Sequence, residues 1–147
     1  MSLTDLQARN LLESLPTSRD EILGLLGLVD RDIEDAEVKE ISLDARFERA
    51  YNATMNAAKT VLRCRGYRPK GSGQHRTIFE ALRSIEGPWT DGEINYFQQC
   101  RKQRHRVQYD CAGIVSAGQL CELLEKAKTF RTTVTQHIKE SFPQYST

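Results

Sequence analysis

The sequence is short of most features that classify a chain quickly. Four prolines and nine glycines in 147 residues are too few for a linker-rich or fibrous protein. Aromatic residues are scarce. No apolar run approaches the roughly 20 residues that a membrane-spanning helix needs. The opening segment lacks the basic-then-apolar pattern of a secretory signal. These absences lead to the expectation of a cytoplasmic globular protein. Cys64, Cys100, Cys111 and Cys121 form no CxxC pair, and His75, His105 and His137 are scattered along the chain. That spacing suits neither a zinc site nor a disulfide framework. It implies free thiols in a reducing compartment, no metal and no cofactor. No segment alternates like a strand, and no internal repeat is evident. Gly71-Ser72-Gly73 is not a phosphate loop, because no Gly-Lys-Ser/Thr follows it.

What is present points to helices. The length suits one domain, residues 1–147, with a sizeable core. Capping-box spacing recurs at Thr4 and Gln7, Ser18 and Glu21, Thr90 and Glu93, and Ser116 and Gln119. Ser42 is a further candidate N-cap. These signals predict helices at about 4–15, 18–37, 42–65, 74–86, 90–109 and 116–141. The third has the clearest buried stripe, from Leu43 and Phe47 through Ala50, Tyr51 and Ala57 to Leu62. Its alanines would let a neighbouring helix approach closely. Gly24 and Gly27 in the second helix would allow similar packing, at about 1 kcal/mol each relative to Ala. Pro16, the stretch Gly66–Gly73 and Gly87-Pro88 mark joins, with residues 66–73 expected to form a loop. The expected fold is an all-α up-and-down bundle of four to five helices.

Charge is balanced overall but unevenly spread. Acids gather between Asp30 and Glu40, whereas Arg63, Arg65, Arg68, Lys70 and Arg76 make the middle basic, followed by Arg101, Lys102, Arg104 and Arg106. This asymmetry is met either by internal ion pairs or by an anionic ligand. At 100° per residue, Arg101, Arg104, His105 and Gln108 share one helix face with Ile94 and Phe97, and Tyr109 lies at its edge. A stripe that begins apolar and turns cationic calls for a partner: a carboxylate, a phosphate or a second subunit.

Two segments carry a resemblance. Gly66-Tyr67-Arg68-Pro69 and Gly71-Ser72-Gly73-Gln74-His75-Arg76-Thr77 follow a long helix that opens Ala45-Arg46-Phe47-Glu48-Arg49-Ala50-Tyr51. About thirty residues later comes Arg104-His105-Arg106-Val107-Gln108-Tyr109-Asp110. The order resembles the HEPN superfamily of prokaryotic helical-bundle proteins, over approximately residues 42–130. The resemblance implies a homodimer whose motif helices meet at a cleft. It also implies metal-independent ribonuclease chemistry in a toxin–antitoxin or defence system, beside a nucleotidyltransferase-like antitoxin. In the family an Arg stabilises the phosphate and a His four to six residues on assists 2′-hydroxyl attack. Here, aligned on Arg104, His105 stands where Asn is usual and Tyr109 where His is usual. From Arg101, the following histidine, His105, comes one residue early. Tyr109-Asp110 resembles a subgroup ending in Asp-Tyr that also lacks the motif His.

The candidate catalytic residues are therefore Arg104, His105 and Tyr109, and the candidate nucleic-acid contacts are Arg101, Arg68 and His75. Arg offers a planar fork for phosphate. Its structural alternative is a salt bridge to the acidic second helix. Histidine titrates near neutrality and suits acid–base work, but His105 can equally be a hydrogen-bonded interface residue. Tyrosine, which ionises only at about pH 10, is a poor base. Tyr109 can orient a phosphate or simply lie half-buried. His75 can hold an RNA phosphate or merely start the fourth helix. Tyr67 and Arg68 can stack on a base or cover the loop. Two functional expectations stand: an RNA-directed module, or a non-enzymatic nucleotide- or protein-binding bundle.

Overall fold

The computed structural model describes residues 1–109 and 112–147. Among them are six α-helices: α1 (Leu3–Ala8), α2 (Arg19–Ala36), α3 (Leu43–Cys64), α4 (Gln74–Leu82), α5 (Asp91–Tyr109) and α6 (Ala117–Ser141). Two short strands, β1 (Leu12–Ser14) and β2 (Tyr67–Pro69), and a closing 3-10 turn at Pro143–Tyr145 complete the chain. The protein is an all-α bundle built around α3, which packs against α2, α4, α5 and α6. Among the described residues no helix is long and apolar enough to cross a membrane.

The caps explain most of the helix starts. The side chains of Ser18, Ser42 and Ser116 each accept a hydrogen bond from the backbone N–H three residues on. Thr90 and Glu93 bond reciprocally across the first turn of α5. Each such cap satisfies a donor that the helix cannot satisfy itself, worth about 1 kcal/mol. The first helix is capped by Ser2 with Asp5, two residues before the expected Thr4. It also ends early. Asn10 adopts a left-handed φ of 64°, a conformation Asn tolerates better than most residues. The chain then runs extended, burying Leu12.

That extended stretch pairs antiparallel with β2, Leu12 opposite Pro69 and Ser14 opposite Tyr67. The expected loop at 66–73 is thus partly strand, and the expected first helix is helix then strand. Three-residue strands are too short to show alternation, so the pairing left no periodic trace. The fourth helix stops at Leu82 rather than 86. The indole N–H of Trp89 donates to the carbonyls of Leu82 and Ile85 at 3.0 and 3.1 Å, supplying acceptors at the helix end with an outside partner. Gly87 is needed beside that ring, since a Cβ there would lie 2.3 Å from it.

The core runs through Phe47, Tyr51, Ala57, Val61 and Leu62 of α3, Phe79 and Leu82 of α4, Ile94 and Phe97 of α5, and Leu123, Phe130 and Val134 of α6. The small residues of α3 are buried against its neighbours as expected. Gly24 and Gly27 are not: they are exposed, with no neighbour within 4 Å of an added Cβ, so they allow no close packing. Much of the charge asymmetry resolves internally. Asp30 pairs with Arg131 at 2.5 Å, and Glu37 with Lys128 at 3.5 Å. Asp32, buried, is met by Asn56 and Arg31.

Candidate functional site

α5 has two halves. Ile94, Phe97 and Cys100 are buried in the chain's own core. The apolar face that suggested a dimer is therefore already covered, and the argument from Ile94 and Phe97 for a second subunit does not hold. Beyond Cys100 the same helix emerges from the bundle, and its side chains turn polar.

Arg101 and Arg104 stand at this transition. The Nε of Arg101 donates to Oε1 of Gln98 at 2.7 Å. Gln98 is anchored in turn by the Arg76 carbonyl at 3.0 Å and by Glu80 at 3.2 Å. This chain fixes the base of the Arg101 guanidinium. Its terminal nitrogens make no hydrogen bond or ion pair among the described residues. Arg104 lies over the Tyr51 ring, its guanidinium carbon 5.6 Å from the centroid. One terminal nitrogen is 3.7 Å from Glu48, a long ion pair. Glu48 also accepts from Gln108 at 2.7 Å. The Nε of Arg104 is buried and has no partner among the described residues. An unspent buried donor costs about 1–3 kcal/mol, so a site that keeps one is suited to accepting an anion. The carboxylate that Arg104 meets belongs to α3, not to the acidic second helix.

Tyr51 links these arginines to His75. Its hydroxyl is 3.0 Å from Nδ1 of His75. Burial pushes the Tyr51 phenol well above its ordinary range, against the opposing pull of Arg104 and Arg101. His75 is shifted the other way. Burial lowers its pKa first, and the positive charges of Arg104, Arg101 and Lys59 lower it further. A half-buried imidazole among three cations stays neutral at neutral pH. His75 is the second residue of α4, which Gly73 caps without a side-chain hydrogen bond, so it both begins the helix and reaches the α3–α5 junction.

The other candidates are placed differently. The rings of His105 and Tyr109 are 4.8 Å apart, but both side chains are exposed and Tyr109 is 71% exposed. They pair with each other on open surface, not with the Tyr51–His75 pair. Arg68 is on β2, ion-paired to Glu13 across the strand ribbon, and lines a separate cleft. Tyr67 is half-buried and packs on the core. Among the described residues no group of three or more His, Cys, Asp or Glu could hold a metal ion. Cys64 and Cys100 are buried free thiols, their pKa values pushed up by burial to about 12 and about 11. Cys121 is free and exposed. Cys111 and Asp110 lie outside the described residues.

Tyr51, Glu48 and Gln98 were not singled out from the sequence as site residues. Tyr51 was placed in a buried stripe, and that was itself a signal, because a buried phenol needs a polar partner. No family model, curated protein or solved structure matches this chain.

Proposed function

We propose that the chain is a HEPN-like, RNA-directed module that holds a phosphodiester between Arg101 and Arg104. The observation that carries this reading is the pair of incompletely satisfied guanidiniums converging on Tyr51 and His75. Among the described residues, Arg101 has free terminal donors and Arg104 has a buried Nε without an acceptor. Two planar donors of this kind suit phosphate oxygens better than a single carboxylate. The loose contact to Glu48, which Gln108 already occupies, is one a phosphate can displace.

A second reading adds metal-independent cleavage of the bound RNA. It is favoured by His75, held neutral beside the arginines and fixed by Tyr51. A neutral imidazole can accept the 2′-hydroxyl proton as the 2′-oxygen bonds to phosphorus and the P–O5′ bond breaks, leaving a 2′,3′-cyclic phosphate and a 5′-oxygen that takes a proton from the imidazolium or water, while the arginines stabilise the developing charge on phosphate. In this reading the general base is His75, with Arg104 as charge stabiliser. His105 and Tyr109 form the exposed flank that a second copy of the chain would cover. The module would work in the cytoplasm as a homodimer, beside a nucleotidyltransferase-like antitoxin.

The test uses a labelled single-stranded RNA in EDTA at low salt, followed by anisotropy for binding and by gel for cleavage. Wild type should bind, and Arg101→Ala with Arg104→Ala should lose at least tenfold in affinity, about 1.4 kcal/mol. If cleavage occurs, His75→Ala should abolish it while keeping binding, and His105→Ala should not. Wild type that neither binds nor cuts would overturn both readings and leave a protein-binding bundle.

A further inference from the structure

A cleft of about 630 Å³ opens between the β1–β2 ribbon, the start of α2 and the outer face of α3. It is separate from the α5 cluster, since Arg101, Arg104 and Tyr51 do not line it. Its volume falls within the roughly 300–1,000 Å³ typical of small-molecule sites.

The walls divide into two kinds. Leu15, Leu25 and Pro69 supply apolar surface. Lys59, Arg63, Arg68 and Lys70 supply positive charge, against two acids, Glu13 and Glu21. Both acids are engaged through one oxygen each. Glu21 accepts from Arg63 at 2.7 Å and from the Thr17 hydroxyl at 3.0 Å. Arg63 pairing also holds the Glu21 carboxyl below its ordinary range. Glu13 is engaged by Arg68. Arg63 is itself engaged at all three nitrogens, donating further to the carbonyls of Leu15, Tyr67 and Pro16 at 2.9–3.0 Å.

Two cations remain. Lys59 on α3 and Lys70 just after β2 are both half-buried, and neither meets a carboxylate within 4 Å among the described residues. An ammonium that is partly desolvated and has no carboxylate in contact gains from an anion that joins it. The cleft thus sets two ammoniums beside an apolar floor, Lys70 and a Lys59 that Glu21 attracts only from beyond 4 Å.

We propose that this cleft is a nucleoside-phosphate site, in which Lys59 and Lys70 take the phosphate and Leu15, Leu25 and Pro69 support the base and sugar. Phosphate suits the ammoniums because each acts as a compact point charge with three donors. The apolar floor suits a flat, weakly polar group better than bare inorganic phosphate. The ligand is either a free nucleotide or the phosphorylated end of an RNA strand. The site does not depend on the α5 arginines, so it stands even if they bind no RNA.

The test is calorimetric titration of the full chain at low ionic strength with AMP, GMP, CMP, UMP, a 5′-phosphorylated RNA tetranucleotide and its 5′-hydroxyl form. At least one monophosphate or the phosphorylated tetranucleotide should bind with Kd below about 1 mM. Lys59→Ala with Lys70→Ala should weaken that binding at least tenfold, about 1.4 kcal/mol, and should do so equally in the Arg101→Ala, Arg104→Ala background. Neither lysine supports the fold through an ion pair, and urea denaturation of the double variant should match wild type. Monophosphate binding identifies a free nucleotide. Binding of the phosphorylated tetranucleotide alone, over its 5′-hydroxyl form, identifies a strand end. If no phosphorylated probe binds, or the lysine variant binds as tightly as wild type, the proposal fails.

Discussion

Arg63 and Arg104 both lie on long helices of the bundle, yet they are used in opposite ways. Arg63 is almost fully buried, at 3% exposure. Its guanidinium spans Glu21 and three backbone carbonyls from the segments on either side of the strand ribbon. It is a clamp: it ties α2, α3 and the β2 segment together with its donor nitrogens all engaged. Arg104 is more open, leans on an aromatic face and touches one shared carboxylate at long range, with a buried donor unspent. The same side chain is a structural bolt in one place and, in the other, keeps donors without a protein partner among the described residues. What separates them is hydrogen-bond satisfaction rather than burial alone.

The largest effect should come from breaking the clamp. Arg63→Ala removes a buried guanidinium and leaves three carbonyls at this junction without their donor, at about 1–3 kcal/mol, while the exposed Glu21 turns to water. Urea denaturation should show that loss, and a change below 1 kcal/mol would erase the distinction between the two arginines. Next is Tyr51→Phe, which keeps the ring under Arg104 but removes the hydrogen bond to His75. Stability should fall by about 1 kcal/mol, and the His75 ring signals should broaden in NMR spectra. Unchanged signals would show that the phenol does not hold the imidazole. Arg104→Ala should be milder, at about 0.2–1 kcal/mol, the range for a loose, solvent-accessible pair. A loss as large as that of Arg63→Ala would make Arg104 a second clamp.

The smallest effect should be a pH slope. Folding holds His75 and His137 below the ordinary 6.5, in both cases mainly through burial. The unfolded chain therefore binds these protons more readily. Their contribution is fully present above pH 6.5 and is lost as pH falls from there through the lower folded-state values. Denaturation midpoints should decline over that window, and His75→Gln should flatten the slope. A slope of the opposite sign would mean that the imidazole is stabilised as a cation, against its three cationic neighbours.

The helices were legible because their signals are local. Ser18, Ser42, Thr90 and Ser116 cap where spacing placed them, and the α3 stripe is buried as its periodicity required. The ribbon was hidden, because Leu12–Ser14 and Tyr67–Pro69 are defined by each other across the chain and not by either segment's pattern. The end of α4 was hidden for a similar reason, since it depends on the Trp89 indole. At the site, Arg101 and Arg104 follow from helix-face geometry and His75 from the motif segment after the loop, and the structure brings them together. It leaves Arg68 in another cleft and His105 and Tyr109 on open surface. Helix-face geometry puts Arg104 and His105 on one stripe, but it does not say which member the neighbouring helix will cover. Tyr51 completes the cluster from α3, a contact no spacing along α5 could reveal.

The most direct test is the salt dependence of RNA binding in wild type and in the Arg101→Ala, Arg104→Ala double variant. Each lost phosphate contact should lower the slope of log K against log salt by about 0.7 for a single strand. Two arginines acting as phosphate donors predict a fall in slope of about 1.4 together with weaker binding. Equal slopes and affinities for the two proteins would contradict the claim that these guanidiniums are kept unsatisfied for an anion.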